Sequence, residues 1–175
     1  MALTLLTGGA RSGKSNLAQQ LASAVADDVT FVATATRSDA DMSARIDRHR
    51  AARPGHWATV EAPLKLEPAL EEIGSEAVVI VDCLTLWVSN LMLEGFRDDE
   101  IEERAAKAAA IASARSGYTF VVTNEVGSGV HPDTELGLRF RDVLGRVNAT
   151  WSQVSDSVYL VIAGRVLELE LPPEV

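Results

Sequence analysis

The sequence predicts an α/β protein: a largely parallel sheet with helices on both faces, closed by an antiparallel hairpin at its C-terminal end. Three observations predict it. Short apolar, β-branched runs alternate with helical patterns over most of the chain, the arrangement of successive β-α-β crossovers. A glycine-rich turn, "GGARSGKS", joins the first apolar run to the first helical pattern. The last two apolar runs, "VYLVIAG" and "VLELEL", are separated at Gly164 and Arg165, which reads as a hairpin.

In order, "ALTLLT" (2–7) reads as a strand, and Leu17, Leu21, Ala24 and Val25 mark one face of a following helix. "VTFVAT" (29–34) is a strand, and a helix over 38–53 opens with Ser38 and Asp41 in capping-box spacing. Pro54 and Gly55 end it, and "WATVEA" is a short strand. Helix 64–73, strand "AVVIVD" (77–82) and helix 84–93 come next, then an alanine-rich helix over 98–116. "YTFVVTN" (118–124) is a buried strand, "EVGSGVHPD" a glycine-rich loop, and 133–155 a long helix. The end, "LPPEV", is expected to fray.

At 175 residues and 47% hydrophobic composition the chain supports one domain, 1–175, with a substantial core. No apolar run approaches the ~20 residues of a membrane span, and the first residues lack a signal peptide's basic start. A soluble cytoplasmic protein is expected. Cys83 is the one cysteine and lies in an apolar run, where a buried inert thiol is expected. A net charge of −9 with three lysines leaves no basic stripe for nucleic acid.

The turn from Gly8 to Ser15 fits G-x-x-x-x-G-K-[ST]. Gly8, Gly9 and Gly13 let backbone N–H groups turn inward around phosphates, with Ala10, Arg11 and Ser12 forming the arch. The helix N-terminus behind them favours anions. Lys14 is suited to the β and γ phosphates and the Ser15 hydroxyl to Mg²⁺. A P-loop also needs a carboxylate at the end of a buried strand to hold the metal's water shell, and Asp82 ends "VVIVD". No N-K-x-D stretch is present, which weakens a GTPase-switch reading.

A second centre lies in "ARIDRHRAARPGHW" (44–57), where Arg45, Arg48, His49, Arg50 and Arg53 crowd one helix of an acidic chain. Arg45 and Arg53 lie four residues either side of His49, on its face. By helical geometry alone, His49 with Met42 and Ile46 is a boundary residue over the core, and the arginines extend into water. The alternative is a polyphosphate site. There the arginines disfavour a further positive charge on the imidazole, leaving it neutral and nucleophilic. His56 and His131 have no partner at metal-ligand spacing.

These stretches, with "VVIVDCLTLWVSNL" and "VVTNEVGSGVHP" followed by "FRDVLGRVN", resemble the bifunctional adenosylcobinamide kinase and adenosylcobinamide-phosphate guanylyltransferase family of cobalamin biosynthesis. The resemblance implies phosphorylation of adenosylcobinamide by ATP or GTP. It further implies transfer of GMP from GTP through a histidine-GMP intermediate, giving adenosylcobinamide-GDP and pyrophosphate. By motif the histidine is His49. The implied nucleotide contacts are the P-loop, then Ala33, Thr34 and Ala35, then Arg50, Ala51, Ala52 and Arg53, with Glu61 and Asp82. The resemblance also implies a RecA-like sheet and a homotrimer. Ala149 departs from the family pattern, which carries glutamine there. Asn124 and Glu125, in a loop after a buried strand, are candidates for ligand contact or for turn capping. A simple P-loop small-molecule kinase and a nucleotide-sensing assembly protein are the competing readings.

Overall fold

The computed structural model describes residues 2–37 and 40–172, with Arg45 described by its backbone alone. The Ser38 half of the expected capping box, and 173–175 of the expected frayed end, lie outside the described residues.

The elements run β1 (Ala2–Thr7), α1 (Lys14–Val25), β2 (Val29–Ala33), α2 (Ala40–Ala51), β3 (Ala58–Glu61), α3 (Leu66–Glu72) and β4 (Val78–Asp82). Then come α4 (Leu84–Leu93), α5 (Asp98–Ser113), β5 (Tyr118–Val122), α6 (Glu135–Val154), β6 (Ser157–Ile162) and β7 (Arg165–Leu169). They form one seven-stranded sheet in the order β3-β2-β4-β5-β1-β6-β7. Every pairing is parallel except β6 with β7.

Strand side chains alternate between faces, and the alternation divides the core in two. Leu5, Val79, Val81 and Val121 pack with Trp87 and Leu91 of α4, Ile101 of α5 and Trp151 of α6. Leu6, Phe31, Ile80, Phe120 and Val122 pack on the opposite face with Ala18 and Ala22 of α1. Helices therefore cover both faces, as the alternating pattern predicts.

The buried line of α1 differs from the expected one. Lys14, Ala18 and Ala22 are buried, Leu17 and Leu21 flank them half-buried, Ala24 is exposed and Val25 is 43% exposed. The loop anchors Lys14 inward, so residues at i+4 and i+8 from it face the sheet, and alanine lets the helix lie close. The hairpin also turns one residue earlier than expected. Ala163 (φ 51°) and Gly164 (φ 74°) both have positive φ, the two-residue arrangement that matches strand twist, and Arg165 already belongs to β7.

Behind the sheet, Arg115 is buried and donates to the carbonyls of Leu70 (3.2 Å), Ile73 (3.0 Å), Gly74 (2.8 Å) and Ala77 (3.0 Å). One cation thereby satisfies carbonyls left over at the end of α3 and fixes the entry to β4.

Candidate active site

The sheet's register lines up the site. Glu61 pairs with Ala33, Ala33 with Asp82, Asp82 with Val122 and Val122 with Leu6. This row crosses five strands at their carboxyl ends. Asp82 follows Val78 and Ile80 at the same parity, so it faces the α1 side of the sheet. β5 stands between β4 and β1, which at about 4.8 Å per strand sets Asp82 about 10 Å from the P-loop strand.

The P-loop arches over the same face. Gly8 (φ 142°) and Gly13 (φ 106°) adopt conformations that suit glycine. A Cβ at Gly8 would also stand 2.2 Å from the Val161 carbonyl oxygen. Lys14 Nζ donates to the carbonyls of Gly8 (2.9 Å) and Gly9 (2.6 Å) and to Ser12 Oγ (3.3 Å). The hairpin supports the arch from outside, because Gly164 N–H donates to the Ser12 carbonyl at 2.9 Å. No acidic residue occupies the first turn of α1, so its positive end stays available to an anion.

Two cavities open here. One, of about 500 Å³, is bounded by the P-loop from Ala10 to Ser15, together with Arg48, Ala52 and Asn124. The other, of about 350 Å³, is bounded by Phe31, Ala33, Ala35, Arg50, Arg53 and Glu61, with Met42 and Ile46 on its helix side. His49, Asp82, Cys83 and Leu86 line both. His49 thus stands in the shared wall, half-buried, with a nucleotide-sized space on either side. Neither sequence-level reading foresees two chambers.

The remaining residues sort by position. α2 ends at Ala51, so Arg53 lies beyond the helix and reaches back: its Nε donates to the His49 carbonyl at 2.9 Å. Its guanidinium carbon sits 3.6 Å from the Phe31 ring centroid, and its Nη1 is buried with no hydrogen-bond partner among the described residues. Burial lowers the Arg53 pKa from its ordinary value, while the nearby Asp82 carboxylate opposes that shift. The Arg45 side chain lies outside the described residues.

Thr34 lines neither cavity. It is fully buried, its Oγ1 donating to the Cys83 carbonyl (2.7 Å) and accepting from the Cys83 N–H (2.7 Å). It therefore couples the end of β2 to the end of β4. Asn90 of α4 adds a clamp, its Nδ2 donating to the Thr34 (2.8 Å) and Pro63 (3.0 Å) carbonyls. Ala51 lines neither cavity, and Gly8 and Gly9 shape the arch from behind. Ala149, where the pattern departs, is exposed on α6 and lines neither cavity. Its neighbour Asn148 instead reaches the site's edge, donating from Nδ2 to the Asn124 carbonyl at 3.0 Å.

His56 and His131 have other tasks. His56 Nε2 lies 2.8 Å from the Asp27 carbonyl oxygen, and Arg141 donates to His131 Nδ1 at 3.0 Å. No group of three or more His, Cys, Asp and Glu side chains among the described residues is arranged to hold a metal. Two hard oxygen donors, the Ser15 hydroxyl and the Asp82 carboxylate, line the larger cavity, while the Ser12 hydroxyl accepts from Lys14. Such a pair suits an ion that takes its other ligands from phosphate and water. No helix among the described residues is long and apolar enough to cross a membrane.

A strand–P-loop–helix unit, with a further strand between it and the strand ending in Asp82, defines a P-loop NTPase fold. A prototypical ATPase from the type III secretion system of pathogenic bacteria shares that fold at TM-score 0.60 and 11% identity, over 91% of this chain and 50% of that one. The family model for cobinamide kinase / cobinamide phosphate guanyltransferase matches residues 4–169, and the chain belongs to that family. The bifunctional adenosylcobalamin biosynthesis protein CobU of Escherichia coli K12 is 38% identical, over 93% of this chain and 96% of its own. The corresponding CobP protein of Pseudomonas aeruginosa is 39% identical, over 97% and 98%.

Proposed function

We propose that this chain phosphorylates adenosylcobinamide with ATP or GTP, then transfers GMP from GTP to the phosphorylated product by way of His49. The observation that carries this reading is the position of His49 in the wall shared by the P-loop cavity and the Glu61–Arg53 cavity. A residue that only braced the core would not line both.

In the first reaction the P-loop amides and Lys14 hold the triphosphate while the acceptor hydroxyl attacks the γ-phosphorus. In the second, a neutral imidazole nitrogen of His49 attacks the α-phosphorus of GTP and pyrophosphate leaves. The phosphate of the acceptor then attacks the same phosphorus, the P–N bond breaks, and adenosylcobinamide-GDP departs with His49 regenerated. Arg50, Arg53 and Glu61 are assigned to the nucleotide on the smaller-cavity side, with Ala33 and Ala35 as its close apolar contacts, and Ala52 to the nucleotide on the P-loop side. Ser15 and Asp82 would hold Mg²⁺, which neutralises charge on the phosphates when bound. We assign the whole chain to one domain acting as a cytoplasmic homotrimer.

The test uses GTP labelled at the α-phosphate. Label should remain on the denatured protein through an acid-labile, base-stable bond, and His49→Ala should abolish it while leaving phosphorylation in place. Absence of label with nucleotide binding intact would replace this reading with that of a simple P-loop kinase.

A further inference from the structure

The segment Thr123–Glu125 follows β5 and lies between the P-loop and Asp82, because β5 lies between β1 and β4. Its backbone is held from both sides in strand-like alternation. Thr123 N–H donates to the Leu6 carbonyl (3.0 Å) and Glu125 N–H to the Gly8 carbonyl (3.0 Å), both toward the P-loop. Asn124 N–H points the other way and donates to Thr85 Oγ1 at 2.7 Å. The Asn124 carbonyl accepts from Asn148 Nδ2 at 3.0 Å. Thr123 Oγ1 in turn donates to Asn148 Oδ1 at 2.7 Å.

Parity then sets what each side chain faces. Phe120 and Val122 belong to the α1 side of the sheet, and Asn124 continues that series onto the P-loop cavity. Thr123 and Val121 face the opposite side, where α6 supplies Asn148. Thr85 and Thr123 are both buried. Two side chains therefore hold the Asn124 backbone directly and two P-loop-side carbonyls hold its neighbours, while its own carboxamide makes no hydrogen bond within the described residues. That half-buried carboxamide lines the same cavity as Lys14, Ser15 and Asp82.

We propose that Asn124 is a further catalytic residue of the phosphorylation reaction, its Nδ2–H donating to the phosphoryl group in transfer, with Thr85, Thr123 and Asn148 as its positioning residues. This rests on the proposed kinase activity. In the step, the acceptor hydroxyl oxygen bonds to the γ-phosphorus and the bond from that phosphorus to the β–γ bridging oxygen breaks. The nucleoside diphosphate leaves with the bridging electron pair. The hydroxyl proton passes through an oxygen of the transferred group to solvent, and Asn124 remains neutral throughout. A fixed neutral donor at this position stabilises charge that grows in the transition state at no reorganisation cost. Asn124 lines the P-loop cavity and not the Glu61–Arg53 cavity, so the attack of His49 on the α-phosphorus depends on it less.

The experiment compares the purified wild-type chain with Asn124→Ala and Asn148→Ala, using adenosylcobinamide, GTP and Mg²⁺. It reads kcat for phosphorylation, Kd for a non-hydrolysable GTP analogue and retention of α-phosphate label. Asn124→Ala removes a side chain with no internal hydrogen bond and leaves the backbone anchors in place. Its kcat should fall about 100-fold, with Kd within about threefold and label retained. Asn148→Ala should lower kcat by about tenfold through misplacement alone. An Asn124→Ala kcat within threefold of wild type would overturn the proposal, as would parallel loss of binding and label, the mark of a structural contact. A wild-type chain that binds the analogue but makes no phosphorylated product would remove the kinase reading itself, and the role of Asn124 with it.

Discussion

The guanidinium carbon of Arg53 stands over the ring of Phe31, 3.6 Å from its centroid. Phe31 holds it from below, the His49 carbonyl holds Nε at 2.9 Å, and Nη1 has no hydrogen-bond partner among the described residues. A half-buried cation whose Nη1 is turned into a cavity wall is suited to an anion. Arg53→Ala is expected to weaken GTP binding about tenfold, about 1.4 kcal/mol, measured by calorimetric titration. Arg53→Lys should recover only part of this, because an ammonium cannot stack on the ring while presenting a fork.

Thr34 is expected to matter for stability and only indirectly for binding. Thr34→Val takes the 2.7 Å acceptor from the buried Cys83 N–H and one donor from the Cys83 carbonyl, which keeps Trp87 N–H at 3.2 Å, at a cost of about 1–3 kcal/mol in urea denaturation. Thr34→Ser keeps the hydroxyl and should remain close to wild type.

Two glycines should respond in opposite directions to the same substitution. Gly8→Ala sets a methyl 2.2 Å from the Val161 carbonyl oxygen at φ 142°, so thermal stability and nucleotide binding should both collapse. Gly145, within α6, has open space where a methyl would stand, with no neighbouring atom within 4 Å beyond its own helix backbone. Gly145→Ala should raise stability by about 0.5–1 kcal/mol.

On the opposite face, Arg104 grips Glu67 through Nε (2.7 Å) and Nη2 (3.0 Å) and lies 5.1 Å from the Phe96 ring centroid. The Glu67 side chain is only 6% exposed. Arg104→Met should cost about 3–5 kcal/mol by stranding that carboxylate. Adding Glu67→Leu should recover much of the loss, and a double-mutant cycle would measure the coupling.

Chelating divalent cations should abolish phosphorylation and guanylyl transfer together, since Asp82 lines both cavities. Restoring Mg²⁺ should restore both.

The P-loop, the strands and the alternation of faces were legible in the sequence because each depends on neighbours in the chain. A glycine turn, a buried β-branched run and a two-residue hairpin carry their own backbone preferences. The features that make the site did not have that property. Glu61 is exposed in a short strand, and only the pairing of β3 with β2 and β2 with β4 brings it into the row of Asp82. Arg53 shares the face of His49 only if α2 continues, yet α2 ends at Ala51 and the arginine packs on Phe31 from another strand. Asn124 reads equally as a turn residue until Thr85 of α4 and Asn148 of α6 converge on its backbone. By itself, then, the sequence determined a phosphate-binding turn within a parallel α/β frame. The two chambers, the histidine in their common wall and the unused amide beside the P-loop were decided by tertiary structure, because strand order and register are settled between distant segments and leave no local signature.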